Sequence, residues 1–139
     1  MASLLRLPAS QRLQLEAWAR AGYPLECCGL MLGRMEEGRI AVLAVRQARN
    51  LNTDRAHDRY DLDPEDFLAA DQAARSEGLE IVGVWHTHPD HPAVPSETDR
   101  AAAWPGWSYV ILEVAHGRVA ALRSWRLAGE AFEEEEIES

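Results

Sequence analysis

Residues 86–99 read HTHPDHPAVPSETD. Within that stretch His86, His88 and Asp99 are three side chains of the kind that hold one metal ion, and Ser96 stands three residues before the aspartate. A further carboxylate, Glu26, sits far upstream in PLECCGL. Two imidazoles and one carboxylate leave a tetrahedral Zn²⁺ with an open fourth position for water, whose pKa such an ion lowers to about 7. The parts are those of a zinc hydrolase. Such a centre also needs a proton acceptor that is not itself a ligand, and a donor for the charge of a tetrahedral intermediate.

The elements that must position these groups are legible around them. Residues 80–85 read EIVGVW, an apolar and partly β-branched run that predicts a buried strand. Residues two apart in a strand share a face, so His86 and His88 would project side by side from its end. Pro89 cannot donate to a ladder and should stop the strand there. The loop that follows is stiffened by proline, which lowers the entropy lost in fixing a site. SETD then opens a helix. Ser96 and Asp99 also form an S-x-x-D pattern close to a capping box, in which Ser96 caps the helix and Asp99 satisfies backbone donors. Taken alone the pattern favours the cap. The two histidines, the stiff loop and the acidic group together favour the metal centre, and both roles can coexist.

This constellation resembles the motif of the JAMM (MPN+) metalloprotease family. His86-Thr87-His88 matches its H-[ST]-H pair, Pro89 to Pro95 its seven-residue spacer, and Ser96 and Asp99 its S-x-x-D. Glu26 and Gly29 match its E-x-x-G segment. The resemblance runs from about Pro24 to Leu127. Within the family, the loop PDHPAVPS and the late LRSWRL look like the small bacterial members that process ubiquitin-like sulfur-carrier proteins ending in Gly-Gly. The resemblance implies an α/β fold, a mixed β-sheet packed with helices on both sides, similar to cytidine deaminases. It implies Zn²⁺ on His86, His88 and Asp99, Glu26 as the general base that returns its proton to the leaving amine, and Ser96 as the oxyanion donor. Without the family match, Glu26 reads as an ordinary surface carboxylate at a strand's start.

Length and composition suit a small enzyme. A chain of 139 residues forms one domain able to bury a core, here expected over residues 1–129 with an acidic tail at 130–139. Apolar residues make up 47%, which excludes a disordered chain, and a net charge of −9 argues against a nucleic-acid groove. Cys27 and Cys28 are adjacent, so an ordinary disulfide between them is disfavoured; they read as small core residues in a reducing cytoplasm. No apolar run approaches the roughly 20 residues that span a bilayer, and MASLLRLPAS, broken by Pro8, does not read as a signal peptide. Oligomeric state is not legible.

The remaining elements alternate. Ser10 is expected to cap a helix over 11–21, with Leu13, Ala17 and Ala21 at four-residue spacing. CGLMLGRM, EEGR and IAVLAV read as a hairpin. Residues 49–62 read as a polar loop. Asp63 caps a second helix with Pro64 at its first position, running to about Ser76. A short helix covers 96–103, WPGW breaks it, and SYVILEV and VAALRSWRL form a last hairpin. EEEEIES reads as a solvated tail.

Other residues carry weaker signals. His91 reads as a solvated loop histidine, contact with metal or substrate being the alternative. His57 and His116 read as surface groups, and the acidic residues from Asp54 to Asp66 as loop and cap chemistry lacking EF-hand spacing. Trp104 and Trp107 read as core or rim, or as lining for a substrate tail. Only Arg100 to Trp107 separates Asp99 from the next strand, which leaves little room for the segments that grip both ubiquitins in isopeptidase members of the family. A single extended Gly-Gly tail suits a narrow channel, and it could add beside a sheet edge. The expected function is a zinc peptidase cleaving after that Gly-Gly. The alternatives are a catalytically silent MPN-type binding module and a zinc hydrolase of a small amide; a deaminase is disfavoured because its C-x-x-C ligand pair is missing.

Overall fold

The computed structural model describes residues 3–139. Its elements are β1 (Leu4–Arg6), α1 (Ala9–Gly22), β2 (Cys28–Glu36), β3 (Arg39–Ala48), α2 (Pro64–Ser76), β4 (Glu80–Pro89), α3 (Glu97–Ala101), β5 (Ser108–Ala115), β6 (Arg118–Ala128) and β7 (Ala131–Glu138). The sheet is mixed: β4 and β5 are parallel, as are β1 with β3 and β1 with β7, and the hairpins β2–β3, β5–β6 and β6–β7 are antiparallel. The strands run β1-β3-β2-β4-β5-β6-β7 and close on themselves. An open sheet with two edges is therefore replaced by a ring. Closure is narrow: β1 pairs with β3 only at Arg39–Ala41 and with β7 only at Glu136–Glu138, so the remaining outer edges of β3 and β7 have no strand beside them among the described residues.

Two apolar clusters form the core. Leu15 and Ala19 of α1 join Met31, Val82, Trp85, Val110 and Leu112. Ala70 and Ala74 of α2 join Leu30, Ile81, Val84 and Tyr109. Neighbouring residues of β2, β4 and β5 thus serve different clusters, as the two-residue period of a strand requires. In β4 the parity shifts once: Met31 pairs with Gly83 and Leu32 with Ile81, which leaves Val82 as a bulge. After the bulge Val84 faces the α2 side, and His86 and His88 continue that alternation.

Three expectations are corrected. Pro8, not Ser10, holds the N-cap position of α1, and no side chain caps it. Its fixed φ suits a helix start, and its carbonyl accepts from Gln11 and Arg12 at 3.0 Å each. The buried stripe of α1 is Leu15, Trp18 and Ala19, at the mixed three- and four-residue spacing that tracks one helix face, while Leu13 is 64% exposed. The acidic stretch expected to trail in solvent is β7. Its Glu135 is buried, paired with Arg126 at 2.6 Å and accepting from the Ser124 hydroxyl at 2.7 Å, and Ile137 packs against the α1 cluster. A run of glutamates hid one inward-facing charge with partners and one inward-facing isoleucine. The hairpin β2–β3, the Asp63 cap of α2 and the β5–β6 hairpin lie where the sequence puts them.

Candidate metal centre

The end of β4 carries two imidazoles on the α2 side, both buried. Between them Thr87 faces the other way, and its hydroxyl accepts from Cys27 N at 2.9 Å while its own N–H donates to Cys27 O at 3.0 Å. This clasp holds the Glu26 segment against the histidine strand. Farther along the same ladder Gly29 faces Trp85, whose indole N–H crosses to Arg46 O at 3.0 Å. A Cβ on Gly29 would lie 2.0 Å from that carbonyl and 2.4 Å from the indole nitrogen, so only glycine admits the crossing. The glycine of E-x-x-G thus lets the strands carrying Glu26 and the histidines pack closely.

Asp99 approaches from α3. Ser96 Oγ accepts from Asp99 N at 3.0 Å, and Ser96 N donates to Asp99 Oδ2 at 2.8 Å, so both halves of a capping box are present. The same carboxylate faces both imidazoles, with Oδ1 3.3 Å from His86 Nε2 and Oδ2 3.2 Å from His88 Nε2. The two Nε2 atoms are 3.1 Å apart. His88 Nδ1 is 2.7 Å from Pro92 O, a bond that needs the proton on Nδ1 and turns the Nε2 lone pair inward.

These donors fit a metal ion. Bonds of about 2.0–2.1 Å at tetrahedral angles put neighbouring ligand atoms about 3.3 Å apart. Their separations of 3.1, 3.2 and 3.3 Å have that size. Two imidazole nitrogens and a carboxylate, buried together, have more lone pairs than protons to share, and a cation would satisfy all three. Burial pushes the His86 pKa down, which keeps its ring neutral and fit to ligate. Burial also lowers that of His88, but the Asp99 and Pro92 contacts outweigh it and the net shift is upward. Asp99 is pushed up by burial and pulled down further by both imidazoles, so its carboxyl sits well below the usual range.

Glu26 is buried, and a carboxylate oxygen of it lies within 4.8 Å of ring nitrogens of His88 and His91. Burial pushes its pKa up to about 8, against the opposing pull of His88. Its backbone is pinned by the segment before α2. Glu26 N donates to Ala56 O at 2.5 Å, and Asn50 Nδ2 donates to both Glu26 O and Arg59 O at 3.1 Å. The arrangement can hold a cation, keep a proton-carrying group beside it and present a hydroxyl at its rim. It opens on a groove of about 510 Å³ whose lining includes Glu26, Ser96, Asp99, Tyr60, Trp104 and Trp107.

All five residues singled out by the motif converge here. Three others join them. Tyr60 stacks on His86 with ring centroids 4.5 Å apart, Asn50 organises the loop, and His91 stacks on His88 at 4.1 Å. His91 is thus half-buried against a candidate ligand rather than solvated. The polar run 49–62 concealed the first two; the signal was a lone aromatic and Leu62 amid charges. Trp104 and Trp107 both line the groove, and Trp104 is 65% exposed. Cys27 and Cys28 are buried free thiols. Asp58, Asp63 and Asp66 are committed to Arg55 and Arg49, as loop chemistry predicts. Among the described residues no helix is long and apolar enough to cross a membrane.

Comparison with known proteins gives a consistent set of relatives. Residues 8–128 match the family model described as prokaryotic homologs of the JAB domain. A desampylase of Haloferax volcanii is 35% identical over 137 residues, covering 95% of this chain and 94% of that one. A CysO-cysteine peptidase of Mycobacterium tuberculosis is 30% identical over 122 residues, covering 87% and 81%. The solution structure of a protein from Desulfitobacterium hafniense superposes with a TM-score of 0.84 at 31% identity, covering 96% of this chain and 90% of that one.

Proposed function

This chain belongs to the family of prokaryotic JAB-domain homologues, and from that premise we propose that it is a zinc-dependent peptidase. Its reaction is hydrolysis of the amide bond after the C-terminal Gly-Gly of a ubiquitin-like sulfur-carrier protein. The relatives named above as a desampylase and as a CysO-cysteine peptidase support the substrate class. The observation that carries the reading is the meeting of His86, His88 and Asp99 at 3.1–3.3 Å beside the buried carboxyl of Glu26. A set of two nitrogens and one oxygen favours Zn²⁺ over the hard cations, which take oxygen ligands.

In this reading His86 Nε2, His88 Nε2 and Asp99 would hold the ion. Such an ion would supply Lewis acidity toward a carbonyl oxygen and would lower the pKa of water. Glu26 takes a proton from the attacking water as its oxygen bonds to the carbonyl carbon. A carboxyl with a pKa raised toward neutrality can take that proton and give it up again. As the C–N bond breaks, Glu26 delivers the proton to the leaving nitrogen. Ser96 keeps its hydroxyl hydrogen free while its oxygen caps α3, and donates it to the oxyanion. The groove admits an extended tail, and two glycines let its backbone approach the buried centre without a side chain in the way.

The test is a sulfur carrier extended beyond Gly-Gly, incubated with zinc-loaded protein and followed by mass spectrometry. Trimming to Gly-Gly is expected, blocked by a chelator and slowed roughly 10²–10⁴-fold in Glu26→Gln. Cleavage of linked ubiquitin chains with no action on any extended carrier would overturn the substrate assignment.

A further inference from the structure

The protein has no lysine, so all 14 of its permanently cationic side chains are arginines. Around the groove most of these guanidinium groups are already engaged. Arg49 pairs with Asp63 at 2.5 Å and Asp66 at 3.4 Å, Arg55 pairs with Asp58, and Arg100 pairs with Glu97. Arg59 is different. It lines the groove together with Glu26 and Asp99, and among the described residues its side chain makes one hydrogen bond, from Nη1 to the Asp58 carbonyl at 3.1 Å. Among the described residues it forms no ion pair with a carboxylate.

Its backbone is nonetheless fixed. Arg59 N donates to Arg55 O at 2.7 Å, and Arg59 O accepts from Asn50 Nδ2, the amide that also holds Glu26 O. The next residue is Tyr60, stacked on His86. A guanidinium without a carboxylate partner is therefore presented from a backbone that the Asn50 amide links to Glu26 and that runs directly into Tyr60 against His86. Its charge is also felt at Glu26, where it opposes the upward push of burial. Asp58 and Asp61 flank Arg59 on the same wall of the groove, so an anionic leaving group on that side meets like charge unless a cation receives it.

We infer that Arg59 receives the α-carboxylate of a single amino acid on the leaving side of the scissile bond, so that the preferred substrate is a Gly-Gly carrier extended by one residue. This rests on the peptidase reading above and narrows it. In such a substrate the carboxylate is two bonds from the nitrogen that takes the proton from Glu26, roughly 2.5–3 Å away by standard backbone dimensions. A planar guanidinium meets a carboxylate with two parallel hydrogen bonds. A lysine-linked conjugate carries its leaving nitrogen on a four-carbon stem with no carboxylate within that reach, and it gains nothing from Arg59.

The experiment uses two substrates that differ in one group: the carrier extended by one amino acid as the free acid, and the same carrier ending in a carboxamide. Both are followed by mass spectrometry with the zinc-loaded protein. Wild type should favour the acid in kcat/KM by about tenfold to a hundredfold, the worth of a charged hydrogen-bonded contact. In Arg59→Gln that ratio should fall to near unity, and in Arg59→Lys to an intermediate value, since the charge is kept and the fork lost. Because the ratio is taken within one preparation, loss of folded protein cancels. Equal rates on acid and amide in wild type, or an undiminished ratio in Arg59→Gln, overturns the inference. If wild type cleaves a lysine-linked conjugate but neither extended carrier, the inference fails while the hydrolase survives. If it cleaves none of the three, the proposed function itself fails.

Discussion

Replacing Glu26 by glutamine keeps the size and hydrogen-bonding capacity of the side chain but removes its proton. In the metal-free protein this should change how stability depends on pH. Burial raises the folded-state pKa of Glu26 from the ordinary 4.5 to about 8. Between those values the folded chain holds one proton more than the unfolded chain, so stability falls as pH rises. The sign is that of an acid whose neutral form is favoured by folding: nothing is lost below 4.5, and the loss is complete above 8. Integrating the linkage relation with these two values puts the loss at about 1 kcal/mol at pH 5 and about 4 kcal/mol at pH 8. The assay is urea unfolding of chelator-treated wild type and Glu26→Gln from pH 5 to pH 8. The stability of wild type relative to the variant should drop by about 3 kcal/mol across that range. Saturating Zn²⁺ should shrink the drop, because a nearby cation stabilises the carboxylate. A difference that stays flat would mean that Glu26 titrates as a solvated carboxylate, and the account of its burial would be refuted.

Three further outcomes follow from the same geometry. Elemental analysis should find one zinc per chain, lost in His88→Ala; less than about half an equivalent in wild type, with no gain on reconstitution, would sink the centre. Ser96→Ala should lower stability by about 1 kcal/mol through the lost cap and kcat by roughly 10²–10³-fold through the lost oxyanion donor, whereas a purely capping serine would leave kcat unchanged. Glu135→Ala removes the partner of half-buried Arg126 and the acceptor of the Ser108 and Ser124 hydroxyls, so chemical denaturation should show a loss of about 3 kcal/mol, and a loss under about 1 kcal/mol would show that solvent reaches the pair.

The grouping of the candidate site residues is more legible in the sequence than the architecture around them. The motif residues converge because their spacing encodes local geometry: a two-residue period for His86 and His88, and one helical turn from Ser96 to Asp99. Long-range facts were less accessible. Nothing local says that β1 pairs with both β3 and β7, because three residues, LLR, carry little pattern. The glutamates of β7 suggest solvent, and only the fold supplies Arg126 and two serine hydroxyls for Glu135. The stripe of α1 is ambiguous in sequence because its alanines occupy several faces; Leu15 and Trp18 mark the one packed on the core. Tyr60 and Asn50 were hidden in a polar run whose purpose appears only when Glu26 is packed against it. The sharp turns of that run look like surface until their partners are known.

The closure of the ring through β1 has a kinetic consequence. Leu4 pairs with Glu136 and Arg6 with Glu138, which makes this ladder the pairing of greatest separation along the chain. Loop-closure entropy makes such contacts the last to be worth forming. During synthesis the hairpins β2–β3 and β5–β6 can assemble as they emerge, whereas β1 gains its second neighbour only after β7 has cleared the ribosome. Until then Leu5 and Ile137, which share one core cluster, are separated, and the nascent sheet shows two unpaired edges. The candidate metal centre is drawn from β4, α3 and the Glu26 segment, all between those edges. It can take shape before the ring shuts, while the chain is still open to aggregation or to a chaperone.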